Sequence, residues 1–277
     1  MDKLLASLYL YFDWNGIMRK KSLQLCGFTC IMGIFGAFLR WVQLVKIIEP
    51  ETGLATAHSP WSYTLVIFSL LNIASLVLWI RSFKKYSFPL KYPDAFSRGL
   101  SLYSIAAMVI GAVMALGGVL TVIRSLGSSG TVFDLVLGLF SFICALGASS
   151  FVISANKPNK KTGGTIQSAA IILFLCYWLI AAYKFSASDP VIWHFAPRLL
   201  AVSSTILAFY YIAGFVFNSP KPLLSLFFCQ LGAFLCIITL ADSYPLGEQL
   251  ITLAFAALMM LLSFAQVSNI STEKISE

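Results

Sequence analysis

Eight long, almost uninterrupted apolar stretches fill the chain, with short polar connectors between them. They fall at 23–42, 61–80, 99–123, 132–154, 166–183, 199–217, 223–240 and 250–267. A helix needs roughly 20 apolar residues to cross about 30 Å of hydrocarbon, and each stretch is close to that length. The apolar residues run continuously instead of alternating, which predicts helices and not the strands of a barrel. Short turns on one side and slightly longer loops on the other pair the spans as four tandem hairpins, 23–80, 99–154, 166–217 and 223–267. The predicted fold is therefore all-α: a polytopic integral membrane bundle of eight transmembrane helices, forming a single domain over 23–267.

Residues 1–22 precede that domain. Leu4, Leu5, Leu8, Tyr9 and Phe12 suit the apolar side of a short helix lying in the membrane interface, with a partly disordered tail as the alternative. Asp13-Trp14-Asn15-Gly16 stands where a cleavable signal would carry small residues, so no signal peptide is expected. Residues 268–277 form a polar tail.

Punctuation inside the spans is sparse. All ten prolines fall in predicted loops or at predicted helix ends, which argues against a transporter built on proline-broken helices. The first two hairpins share a pattern: Gly27, Gly33 and Arg40 recur 84 residues later as Gly111, Gly117 and Arg124, and Leu65, Phe68 and Ser69 match Leu137, Phe140 and Ser141. Such a pattern suggests an internal repeat, and tandem hairpins keep one membrane orientation. Gly33, Gly36, Gly111, Gly118, Ser141 and Ser149 supply small faces on which helices can approach closely.

Composition supports the same picture. A soluble domain is typically about 45–50% apolar and about 25% charged. This chain of 277 residues is 59% hydrophobic and 11% charged, too few charges to cover a water-facing surface. The net charge of +8 does not point to nucleic acid, because the basic residues sit where loops meet the membrane and form no basic–aromatic stripe. Fourteen of the 19 fall in the N-terminal segment, the even-numbered gaps and the tail; Arg40, Lys46, Arg124, Lys184 and Arg198 fall on the other side. That bias predicts a multi-pass plasma-membrane protein with both termini in the cytoplasm. The glycosylation pattern Asn269-Ile270-Ser271 would then be cytoplasmic, and is read as chance. All six cysteines lie in apolar runs and read as packing residues.

Candidate chemistry is thin. The middles of the spans lack Asp, Glu, Lys, Arg and His, which argues against a carboxylate proton relay, a Schiff-base lysine, a voltage sensor or an intramembrane metalloprotease. No catalytic or dinucleotide fingerprint is present, so no cofactor, no metal and no enzyme activity is assigned. Asn72 and Gln230 stand out among the uncharged polar groups at depth as candidate ligand contacts. At the outer helix ends, Arg40, Arg124 and Arg198 are the candidate binding residues, amid Glu49, Glu51, Asp134, Asp189, Asp242, Glu248, His58 and His194. The longest outer connector, 42–60, is the natural place for a recognition surface.

Three functional readings follow. The first is a protein that binds or transports a small solute or lipid through an outward-facing vestibule between hairpins. The second is a non-catalytic membrane subunit or sensor packed against a membrane protein partner or a second copy of itself. The third is a membrane enzyme working at the outer interface with groups such as His194 and Asp189. All three have the lipid bilayer as a partner.

Overall fold

A computed structural model describes residues 2–47, 61–99, 101–127, 131–156, 164–186 and 191–274, with side chains from Gly16 onward except at 62, 185 and 272–274. Among these residues eight helices are long and apolar enough to cross a membrane, and the protein is an all-α integral membrane bundle. The helices are α1 (Asp2–Ile47), α2 (Trp61–Ser82), α3 (Tyr92–Phe96), α4 (Ser101–Leu126), α5 (Val132–Ala155), α6 (Thr165–Ser186), α7 (Ile192–Val216), α8 (Pro222–Thr239) and α9 (Leu246–Ser268). All but the five-residue α3 are spans. Thr131 and Asp134 close the start of α5 with a reciprocal capping box.

Two helices start furthest ahead of the hydrophobic pattern. The segment expected as a separate interfacial helix is the first part of α1, whose 46 residues run without interruption from Asp2. Gly16 costs a helix only about 1 kcal/mol, and the Arg19-Lys20-Lys21 run is made of good helix formers, so the polar stretch is not a break. α7 begins at Ile192, before the predicted span, which places Pro197 inside a helix instead of at its end. The proline is tolerated near the N-terminus, where only one carbonyl loses its helical donor.

α1 packs on α2, and from α4 onward each helix packs on the next in sequence, α4 along α5 most extensively, while α8 and α9 form the centre. α8 touches α1, α2, α7 and α9; α9 touches α1, α4 and α8. The burial of the spans reflects this, from 61% along α9 to 22% along α2. The main core carries an aromatic cluster of Phe174, Trp178, Phe209 and Phe255, and a second around Tyr92, Phe96, Phe151 and Phe215.

Small residues set the closest approaches. A methyl group on Gly118 would lie 1.9 Å from Ser141 Oγ, and one on Gly111 would lie 2.0 Å from Ser149 Oγ. Positions paired by the 84-residue spacing have different surroundings. Gly33 meets Ile237 of α8 and Gly117 meets Gly247 and Ile251 of α9, but Gly27 faces open space where Gly111 is tightly packed.

At the end of the bundle that holds α3, Tyr86–Ser87 (β1) pairs antiparallel with Ser271–Lys274 (β2). Lys21 reaches the Tyr86 hydroxyl at 2.9 Å. With Arg19, Lys20, Lys84, Lys85, Lys91, Arg98 and Lys221 nearby in the chain order, this is the basic end of the molecule.

Candidate functional site

The opposite end holds a buried ionic network. Arg40 sits two turns inside the C-terminus of α1, on the stripe Gly33, Gly36, Arg40, Gln43, Ile47 that faces the core, and its side chain is fully buried. Its Nε donates to Asp242 Oδ1 at 2.6 Å, and one terminal nitrogen donates to Gln43 Oε1 at 2.8 Å. The other terminal nitrogen donates to the carbonyl of Trp193 at 2.7 Å, with the His194 carbonyl 3.5 Å away.

Pro197 explains that last contact. In a regular helix the Trp193 carbonyl would accept the N–H of residue 197, which proline lacks. The guanidinium supplies the missing donor. Thus α1, the first turn of α7 and the link between α8 and α9 are tied at one buried cation.

Asp242 is held in that link by its own N–H to the Thr239 carbonyl at 3.1 Å, and Gln249 donates to its carbonyl at 3.0 Å. Burial pushes its carboxyl above the ordinary value, and the Arg40 charge opposes the rise. Oδ1 is taken by Arg40, but Oδ2 is buried with no hydrogen-bond partner. Next to it the Tyr244 hydroxyl donates to the His194 carbonyl at 3.1 Å, and the Arg198 guanidinium lies 4.3 Å over the Tyr244 ring. Arg198 pairs with Glu248 of α9, and both are largely buried.

These residues border a pocket of about 510 Å³, lined by Arg40, Leu44, His194, Asp242, Ser243 and Tyr244. On the other side of the α7 start, Trp193 and Pro197 line an almost wholly apolar cleft of about 370 Å³ between α2 and α7. Trp193 faces the cleft and His194 the pocket, so one helical turn separates the two.

The structure therefore brings Arg40 and Arg198 into one neighbourhood, sets Arg124 at its edge near Glu248, and leaves Asn72 and Gln230 apart from it. Arg124 is exposed in the last turn of α4. Gln230 is fully buried and its polar atoms are satisfied: Thr29 Oγ donates to Oε1 at 2.6 Å, and Nε2 donates to Ser263 Oγ at 2.7 Å. It stitches α8 to α1 and α9 at depth. Asn72 is fully buried on α2, with neither amide atom hydrogen-bonded. Neither the pocket nor the cleft reaches Asn72 or Gln230. Glu49, Glu51, His58 and Asp189 lie outside the described residues, as does most of the 42–60 connector. Among the described residues no cluster of three or more His, Cys, Asp or Glu side chains is placed to hold a metal ion.

Tyr244 and Pro197 are site residues with no role assigned from the sequence, and Asp242 stood there only as one acid of the outer ring. The signal for Asp242 was a lone acid in a short turn on the side holding few cations; for Pro197, a proline six residues into an apolar run. No protein family, curated protein or solved structure matches the chain.

Proposed function

We propose that the protein binds, and carries across the membrane, a small solute or lipid that enters at the Arg40–Asp242 end. The observation that carries the reading is Asp242, which lines a pocket of about 510 Å³ and whose Oδ2 is buried without a partner. Ligand sites fall at roughly 300–1,000 Å³ and combine an apolar lining with a few convergent polar groups. The donors of Arg40 are committed within the protein, so the unmet group is an acceptor. The favoured ligand therefore presents a hydroxyl, amide or ammonium donor, and Arg40 acts by holding Asp242 in place. Since fourteen basic residues fall on the other side of the chain's threading, the pocket end faces outward, the termini lie in the cytoplasm and the membrane is the plasma membrane.

Asp242→Asn tests this. The purified protein in lipid vesicles is screened with a panel of labelled polyols, amines, amides and lipids for tracer flux and thermal stabilisation. At least one donor-bearing compound is expected to stabilise and cross with the natural protein, and to lose most of both effects with Asp242→Asn. No protein-dependent flux and no stabilisation across the whole panel overturns the proposal.

A second reading, a membrane subunit that packs against a partner, is favoured by the apolar cleft beside α2, the least buried span. Under that reading a partner helix or a second copy of the chain fills the cleft, and bulky substitutions at Ser69 or Ser203 abolish co-purification without affecting flux.

A further inference from the structure

The basic end contains an arrangement that the pocket does not account for. The loop leading into α4 is fixed by two asparagines from distant helix ends. Asn156 Oδ1, at the end of α5, accepts the N–H of Arg98 at 2.8 Å and that of Gly99 at 3.3 Å. Asn269, just past α9, donates to the carbonyls of Ala95 at 3.0 Å and Ser97 at 2.7 Å. Gly99 turns the chain into α4 with φ of +57°, a conformation that favours glycine. The backbone at Arg98 is thus held rigidly.

Its side chain is not neutralised. The Arg98 guanidinium lies 5.1 Å over the Phe264 ring, its Nε is buried without a partner, and no carboxylate among the described residues pairs with it. Arg19 of α1 lies three residues before Ser22, whose hydroxyl donates to the Phe264 carbonyl at 3.0 Å, so both arginines flank Phe264. Burial, and then the Arg19 charge, hold the Arg98 guanidinium below its ordinary pKa. Tyr103, near Arg98, is 4% exposed and its hydroxyl also lacks a partner. Lys21, by contrast, is already committed to Tyr86. Two guanidinium groups, which can only donate, therefore meet beside an orphaned hydroxyl, with no carboxylate among the described residues to accept from them. Such an excess of donors is unfavourable unless something supplies negative charge and lone pairs.

We propose that Arg19 and Arg98, backed by Tyr103, form a binding site for a phosphate group, carried by an acidic phospholipid or present as free phosphate. A phosphate oxygen pair matches the planar guanidinium fork, and two arginines can share one dianionic or monoanionic group. The location fits as well: the loop before a transmembrane helix lies at the depth of phospholipid headgroups. This site is independent of the pocket at Arg40.

The test uses the full chain in detergent, titrated with phosphatidylglycerol, phosphatidylcholine and inorganic phosphate, with bound lipid counted by native mass spectrometry and stability read by thermal unfolding. Phosphatidylglycerol is expected to bind and stabilise, with affinity falling about tenfold or more in Arg19→Gln and in Arg98→Gln, as loss of a charge-assisted contact implies. Lys184→Gln, exposed at the opposite end, is expected to leave binding unchanged. Arg19 is exposed, so Arg19→Gln keeps the test valid even if Arg98→Gln folds poorly. Competition by millimolar inorganic phosphate assigns the site to phosphate of either source; binding that phosphate cannot displace assigns it to the lipid. Equal affinity for phosphatidylcholine, or phosphatidylglycerol binding unchanged by Arg19→Gln, overturns the proposal.

Discussion

Arg40 and Asp242 form a more deeply buried ion pair than Arg198 and Glu248. Both are buried and they meet at 2.6 Å, so removing either partner leaves a charge in a low-dielectric interior. Breaking such a pair costs about 3–5 kcal/mol, whereas replacing both members by apolar groups of similar volume is often close to neutral. Arg40→Met and Asp242→Leu should therefore each lower the thermal unfolding midpoint sharply, while the double variant should recover most of the loss. Additive losses in the double variant would show that the two side chains act independently. The charges themselves were legible in the sequence; their pairing was not, because it spans 202 positions and depends on how far α1 extends. Gln230 was legible as a deep polar group, but a single sequence does not distinguish a ligand contact from the Thr29–Gln230–Ser263 stitch that it makes.

The count of eight spans could be read directly from hydropathy, because the bilayer imposes both a length and a composition. The N-terminal reach of α1 and the early start of α7 could not, since polar residues and a first-turns proline interrupt the apolar pattern without interrupting the helix. The contact between α4 and α5 offers a sharp test of what the glycines do. Gly118→Ala would press a methyl against Ser141 Oγ and the Gly138 carbonyl, so it should destabilise by about 1–3 kcal/mol. Gly27→Ala meets nothing within 4 Å and gains helix propensity, so it should be neutral or mildly stabilising. Adding Ser141→Ala to Gly118→Ala should restore part of the loss. Equilibrium unfolding in detergent measures all three.

Which helices occupy the centre was hidden from the sequence. Lipid tails are as apolar as leucine, so hydropathy does not separate a buried face from a lipid-facing one, and α8 and α9 look no more central than α2. The distribution of basic residues, by contrast, is legible without any coordinates and predicts how the bundle is threaded. Single cysteines placed at exposed Lys221 and exposed Lys184, in a background without the six native cysteines, should react oppositely in intact cells: Lys184→Cys with an impermeant maleimide added outside, Lys221→Cys only after permeabilisation. The reverse pattern would invert the orientation of the pocket.

The 46-residue α1 is fastened near one tip by the Arg40 contacts. From Arg40 back to Asp2 it measures about 57 Å at 1.5 Å per residue. A rod of that reach, tied again by Thr29 to Gln230 and by Lys21 to Tyr86, joins the clamp to the basic end of the bundle. One continuous helix thereby links the Asp242 contact at one end of the bundle to the place where Lys21 meets Tyr86 at the other.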